Sequence, residues 1–121
     1  MRPELEAKLA ADFPFMADVV CEHGDGWYDV IRGLCSEIEK LFAATGVPVD
    51  VQPFQVKEKY GMLRFYYGTS VLSDEVSAIV AKWEELSGMT CEQCGKDGAV
   101  RDVGGWMTTL CEECFGALGK S

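Results

Sequence analysis

Phe54-Gln55-Val56-Lys57-Glu58-Lys59-Tyr60-Gly61-Met62-Leu63-Arg64-Phe65-Tyr66-Tyr67 decides the fold, because its apolar residues recur at every second position rather than every third or fourth. Phe54, Val56 and Tyr60 alternate with Gln55, Lys57 and Lys59. After a turn at Gly61, Leu63, Phe65 and Tyr67 alternate with Met62, Arg64 and Tyr66. Side chains two apart on an extended chain share a face, so the segment from Val49 to Gly68 is predicted to form a β-hairpin with one apolar and one polar face. Gln55, Lys57, Lys59, Arg64 and Tyr66 would share the polar face. The residues themselves leave the pairing register open.

On both sides of this segment the period lengthens to that of a helix. Trp27, Val30, Ile31, Leu34, Cys35, Ile38, Leu41 and Phe42 recur at 3.6-residue spacing, with Asp25-Gly26 as a candidate cap and Gly46 with Pro48 as the stop. Beyond the hairpin, Val76, Ile79, Val80, Trp83 and Leu86 form a second stripe, with Ser73 as its expected cap, Asp74 and Glu75 in its first turn, and Gly88 closing it. A shorter helix is predicted over about residues 3–12, where Pro3 suits the first turn and Leu5 and Leu9 share a face. Phe13-Pro14-Phe15-Met16 breaks that helix. The fold class is therefore α+β, a β-hairpin packed against two amphipathic helices. Ser87-Gly88-Met89-Thr90 is the only candidate boundary and is short, so a body over 1–88 and a C-terminal unit over 89–121 are expected to form one compact domain.

The C-terminal unit is marked by Cys91-Glu92-Gln93-Cys94 and, after sixteen intervening residues, Cys111-Glu112-Glu113-Cys114. Two C-x2-C turns at this spacing converge four thiolates on one ion, the pattern of a structural zinc site. Gly95 suits a tight knuckle. Ala99–Val103 and Trp106–Leu110 flank Gly104-Gly105 as a second hairpin, and Phe115-Gly116-Ala117-Leu118 reads as a short helix. Knuckle, hairpin and helix together suggest a zinc ribbon or treble clef. A thioredoxin-like dithiol would leave the second pair unexplained, and a redox disulfide or an iron centre held by four thiolates are the remaining readings. Zinc is the commoner occupant, and four cysteines close its shell, so the metal is expected to fold the chain rather than react.

At 121 residues the chain has room for one domain, and 48% hydrophobic residues suffice for its core. No apolar run approaches the roughly 20 residues of a membrane span, and Met1-Arg2-Pro3-Glu4 is unlike a signal peptide, so the expected location is cytoplasmic. The net charge of −9 works against nucleic acid as a partner. It is uneven, however: residues 51–70 hold Lys57, Lys59 and Arg64 against Glu58 alone, a small positive island.

Cys21, His23 and Cys35 offer a second set of metal-ligating types, but Cys35 lies on the apolar helix stripe and Cys21 ends an apolar run, so a core role is expected for them. The H-x-E and P-C-x-x-C pair of zinc deaminases is absent, and a chain with one histidine and no asparagine does not supply a His-Asn-His nuclease site. No catalytic residues are assigned. Trp106, beside two glycines on the second hairpin, is the tryptophan expected to be exposed.

Gly24-Asp25-Gly26-Trp27 with its following helix, Gln55–Tyr66, the Cys-x-x-Cys-Gly knuckle and Gly105-Trp106 together resemble a group of small uncharacterised bacteriophage and prophage proteins. The resemblance implies a glycine where Met62 stands, and a host-cell setting if the chain is phage-encoded. It transfers no activity. The expected function is a zinc-stabilised, non-enzymatic module that docks on a host or phage protein, such as an inhibitor of a defence nuclease of anti-CRISPR type. The alternative is a nucleic-acid-binding zinc-ribbon regulator. Lys57, Lys59, Arg64, Tyr66 and Trp106 are the candidate partner contacts.

Overall fold

The computed structural model describes residues 1–118. The alternating segment forms β2 (Val51–Lys59) and β3 (Met62–Thr69), paired antiparallel with Gln55 opposite Tyr66 and Lys57 opposite Arg64. Tyr60 and Gly61 close the hairpin with φ of 55° and 83°. Two successive positive φ values match the twist of the strands they join, and glycine takes the second without strain. The turn therefore ends before Met62, which opens β3 opposite Lys59, so this hairpin does not need the expected glycine there.

One expectation about the hairpin fails. Between Pro53 and Gln55 the register slips by one residue, so Phe54 is an extra residue on β2. Such a bulge puts two neighbours on the same face. Val51 and Val56, five apart, are both buried, while Phe54 is 64% exposed and stands outside with Gln55. Tyr60, also assigned to the apolar face, is 71% exposed because it sits in the turn.

Val20–Glu22, read from sequence only as the end of an apolar run, is a third strand, β1, parallel to β2. Its pairing puts Cys21 beside Val56 and so into the core. The three helices of the body are α1 (Pro3–Asp12), α2 (Tyr28–Thr45) and α3 (Ser73–Ser87). Ile31, Leu34, Cys35, Ile38 and Phe42 of α2 and Val76 and Val80 of α3 form one buried cluster with Val56, Leu63 and Phe65 of the sheet. Helices thus cover the inner face of the sheet, the side of Cys21, Val56 and Phe65. The opposite face is left open.

Two expected caps are not formed. Asp25 lies in a single 3-10 turn, Asp25–Trp27, and its carboxylate accepts from the Arg2 backbone N–H at 2.8 Å while pairing with the Arg2 guanidinium at 2.6 Å. Ser73 is already the first residue of α3, which follows Leu72 at φ 55°, and makes no capping bond. The stop at Gly46 is realised: with φ 76°, it lets Gly46 and Val47 donate to Ala43 and Phe42, the paired bonds that terminate a helix in a left-handed residue. Gly88 closes α3 with φ −69°, without left-handed backbone.

Both outer edges of the sheet are engaged. On β3, Leu63 donates to Ser87 Oγ at 2.8 Å and Phe65 to Glu84 Oε2 at 2.9 Å, so α3 side chains occupy that edge. At β1, the Met1 amino group donates to the carbonyls of Cys21 and His23. Bare strand edges invite pairing with another chain, and these groups oppose it. No helix among the described residues is long and apolar enough to cross a membrane.

Candidate metal centre and exposed surfaces

The C-terminal unit follows the predicted order. Gly95 takes φ 83° in the first knuckle, β4 (Ala99–Val103) pairs with β5 (Trp106–Leu110) around Gly104-Gly105, and α4 (Glu112–Leu118) follows. The helix starts three residues before the expected Phe115 and takes in Cys114. The Sγ atoms of Cys91, Cys94, Cys111 and Cys114 all lie within 4.8 Å of one another, and those of Cys94 and Cys111 are 3.6 Å apart. A disulfide needs about 2.05 Å, whereas four sulfurs at ~2.3 Å from a tetrahedral ion lie about 3.8 Å apart. The four cysteines can hold a metal ion, and their soft thiolate chemistry fits one.

Local backbone explains the convergence. Burial pushes the Cys91 thiol up, but the amides of Cys111, Cys94 and Gln93 aimed at it outweigh burial and hold it at about 6. Cys114 is pushed up to about 12, first by its hydrogen bond to Cys111 and then by burial. One thiolate is favoured and the next is resisted, because neighbouring negative sulfurs repel. A cation removes that conflict.

The unit has almost no core of its own. Its buried cluster is Cys91, Leu110 and Cys111, with Cys114 against it, separate from the cluster of the body. It leans on the body through the Gly24–Trp27 segment. Gly26 donates to the Glu92 carbonyl at 2.7 Å, Gly24 to Glu92 Oε2 at 2.9 Å, and Trp27 Nε1 to the Thr90 carbonyl at 2.8 Å. A Cβ on Gly26 would stand 2.1 Å from the Cys91 carbonyl oxygen, so only glycine lets the knuckle approach this closely. Thr109, fully buried, donates to the carbonyl of Gly61 in the first hairpin turn.

Cys21, His23 and Cys35 are buried and do not converge as the four C-terminal cysteines do. Burial pushes the Cys21 thiol up to about 11 and lowers His23 to about 4. His23 Nδ1 faces the Gly24 carbonyl at 2.8 Å, which places the proton there and leaves Nε2 a buried acceptor without a partner.

The register brings the five predicted polar-face residues together on the open side of the sheet, in rows of Val20, Gln55, Tyr66, then Glu22, Lys57, Arg64, then Lys59, Met62. Phe54, added by the bulge, stacks on Tyr66 with ring centroids 6.3 Å apart at 27°, and the Lys57 ammonium lies 5.6 Å from the Tyr66 centroid. Among the described residues the ion pairs are Arg2–Asp25, Arg32–Asp12, Lys82–Glu37 and Lys96–Glu113, so Lys57, Lys59 and Arg64 have no acidic partner within 4.0 Å. Trp106 is 69% exposed, as expected, and meets these rows only at Lys59. With Glu58, Lys59, Tyr60, Gly105 and Met107 it lines a groove of about 480 Å³ between the tips of the two hairpins. Sequence reasoning missed this groove because it needs two turns far apart in the chain to be docked side by side by Thr109 and Gly61.

No family model, curated protein or solved structure matches the chain.

Proposed function

We propose that the chain is a zinc-stapled, non-enzymatic module that docks on a partner protein through the groove between its hairpin tips. The observation that carries this reading is the composition of that groove. Tyr60 and Trp106 stand largely in solvent beside Met107, between the tips of two paired hairpins. Tryptophan, tyrosine and methionine are enriched at protein interfaces, and the first two dominate their binding energy. Four thiolates complete a tetrahedral zinc shell and leave no position for a reacting water, which supports a supporting rather than catalytic metal. The net charge of −9 favours a partner with a basic face. Together with the resemblance to phage proteins, this motivates a host nucleic-acid enzyme as target, met in the host cytoplasm.

The test is affinity capture by the metal-loaded chain from bacterial lysate at several salt concentrations, beside the double variant Tyr60→Ala, Trp106→Ala. A stoichiometric protein recovered by the parent and lost by the variant supports the reading; recovery of none, or of the same protein by both, refutes it. Elemental analysis of the purified chain decides zinc against iron.

A further inference from the structure

The open face of the three-stranded sheet adjoins the groove at Lys59, and its residues do not suit an ordinary solvated face. Lys57 and Arg64 lie directly opposite each other on neighbouring strands, a like-charge arrangement that destabilises a sheet. Glu22, across from Lys57 on β1, is the one acidic group in these rows, and the Lys57 ammonium lies over the Tyr66 ring instead of pairing with it. Three cations without acidic partners thus stand on this face, Lys57 and Arg64 beside a stacked pair of rings, Phe54 exposed and Tyr66 half-buried, and Lys59 over Tyr60, in a chain whose net charge is −9. Local rules broken without structural gain point to function.

We propose that this face binds single-stranded nucleic acid, with bases stacking on Phe54 and Tyr66 and phosphates running along Lys57, Arg64 and Lys59. It goes beyond protein docking at the hairpin tips and stands or falls separately from it. The chemistry follows from the parts. An aromatic ring stacks on any base, and a cationic track neutralises the backbone, which together make a sequence-tolerant platform. From the Gln55 row to the Lys59 row is four residues, about 14 Å at ~3.4 Å each. That accommodates about four nucleotides stacked at ~3.4 Å. A duplex buries its base faces and cannot use the rings. Strand addition by a peptide is opposed, because side chains of α3 and the Met1 amino group already engage the sheet edges.

The experiment is fluorescence anisotropy with the metal-loaded chain and a labelled oligothymidylate of about 12 nucleotides, its oligouridylate counterpart and a duplex of equal length. The expected result is binding of the single strands in preference to the duplex. The affinity should fall about twentyfold between 50 and 200 mM salt, from a slope of about −0.7 for each of three phosphates. Tyr66→Ala should weaken binding about tenfold or more. Arg64→Gln and Lys57→Gln should each weaken it and reduce the salt slope, while Lys40→Gln, the same charge change at the far end of α2, leaves both unchanged. Circular dichroism of each variant confirms folding. Absence of binding at 50 mM salt, equal affinity for the duplex, or indifference to Tyr66→Ala and Arg64→Gln would overturn the proposal. So would a protein captured through this face in a manner sensitive to Arg64→Gln while oligonucleotides fail to bind.

Discussion

Removing the metal should unfold the C-terminal unit and leave the body standing. Among its described residues the unit buries only Thr109 and Leu110 besides Cys91 and Cys111, and burying one leucine contributes about 1.5–3 kcal/mol. That is small beside the contribution of a structural zinc site, on the order of 10–16 kcal/mol. The body has its own cluster running from Leu9 to Val80 and loses the seam contacts, chief among them those made by Gly24, Gly26, Trp27 and Gly61. Hydrogen exchange and limited proteolysis after chelation should therefore show loss of protection from about Met89 onward, with α2 and the β2–β3 hairpin still protected. Trp27, whose indole donates across the seam, should change its fluorescence in the same titration. A C-terminal segment that stays protected without metal would refute this reasoning, as would global unfolding of the body.

Gly26→Ala drives a Cβ against the Cys91 carbonyl and breaks the bond to Glu92; overpacking of about 1–3 kcal/mol plus a hydrogen bond of about 1 kcal/mol should lower the denaturation midpoint and weaken metal affinity in chelator competition. His23 is held well below its ordinary value, to about 4, so folding favours the neutral ring: its contribution is whole above pH ~6.5 and is lost as pH falls from there toward 4, on the order of 3 kcal/mol. Denaturant titrations at pH 7 and pH 5 should show a smaller acid loss in His23→Gln than in the parent chain. Tyr60→Asn should raise stability slightly, because asparagine accepts left-handed backbone more readily, yet weaken partner capture by emptying the groove; a thermal midpoint that falls would contradict the turn assignment. Arg64→Gln should hold or raise the unfolding midpoint, since it relieves the opposition to Lys57; a clear drop would mean that Arg64 serves the fold.

By itself the sequence determined whatever is written in local period and local chemistry. The 3.6-residue stripes specified α2 and α3, the alternation around Lys57 and Arg64 specified the hairpin and its cationic face, and the paired C-x2-C turns specified four converging thiols. Each is a property of neighbours in the chain. The Asp25 cap failed because Arg2 took its carboxylate, and the Ser73 cap because α3 begins at Ser73 itself. β1 went unseen because three residues carry no period, and only pairing with β2 makes them a strand. Phe54 was misplaced because a bulge appears in the register between two strands and not in one of them. Tertiary structure alone decided that Gly24–Trp27 seats the metal knuckle, since a glycine's need for space becomes visible only when the opposing backbone arrives. It also set Tyr60 beside Trp106, because a groove between two hairpin tips exists only once buried Thr109 of β5 has docked on the Gly61 turn, nearly fifty residues away in the chain.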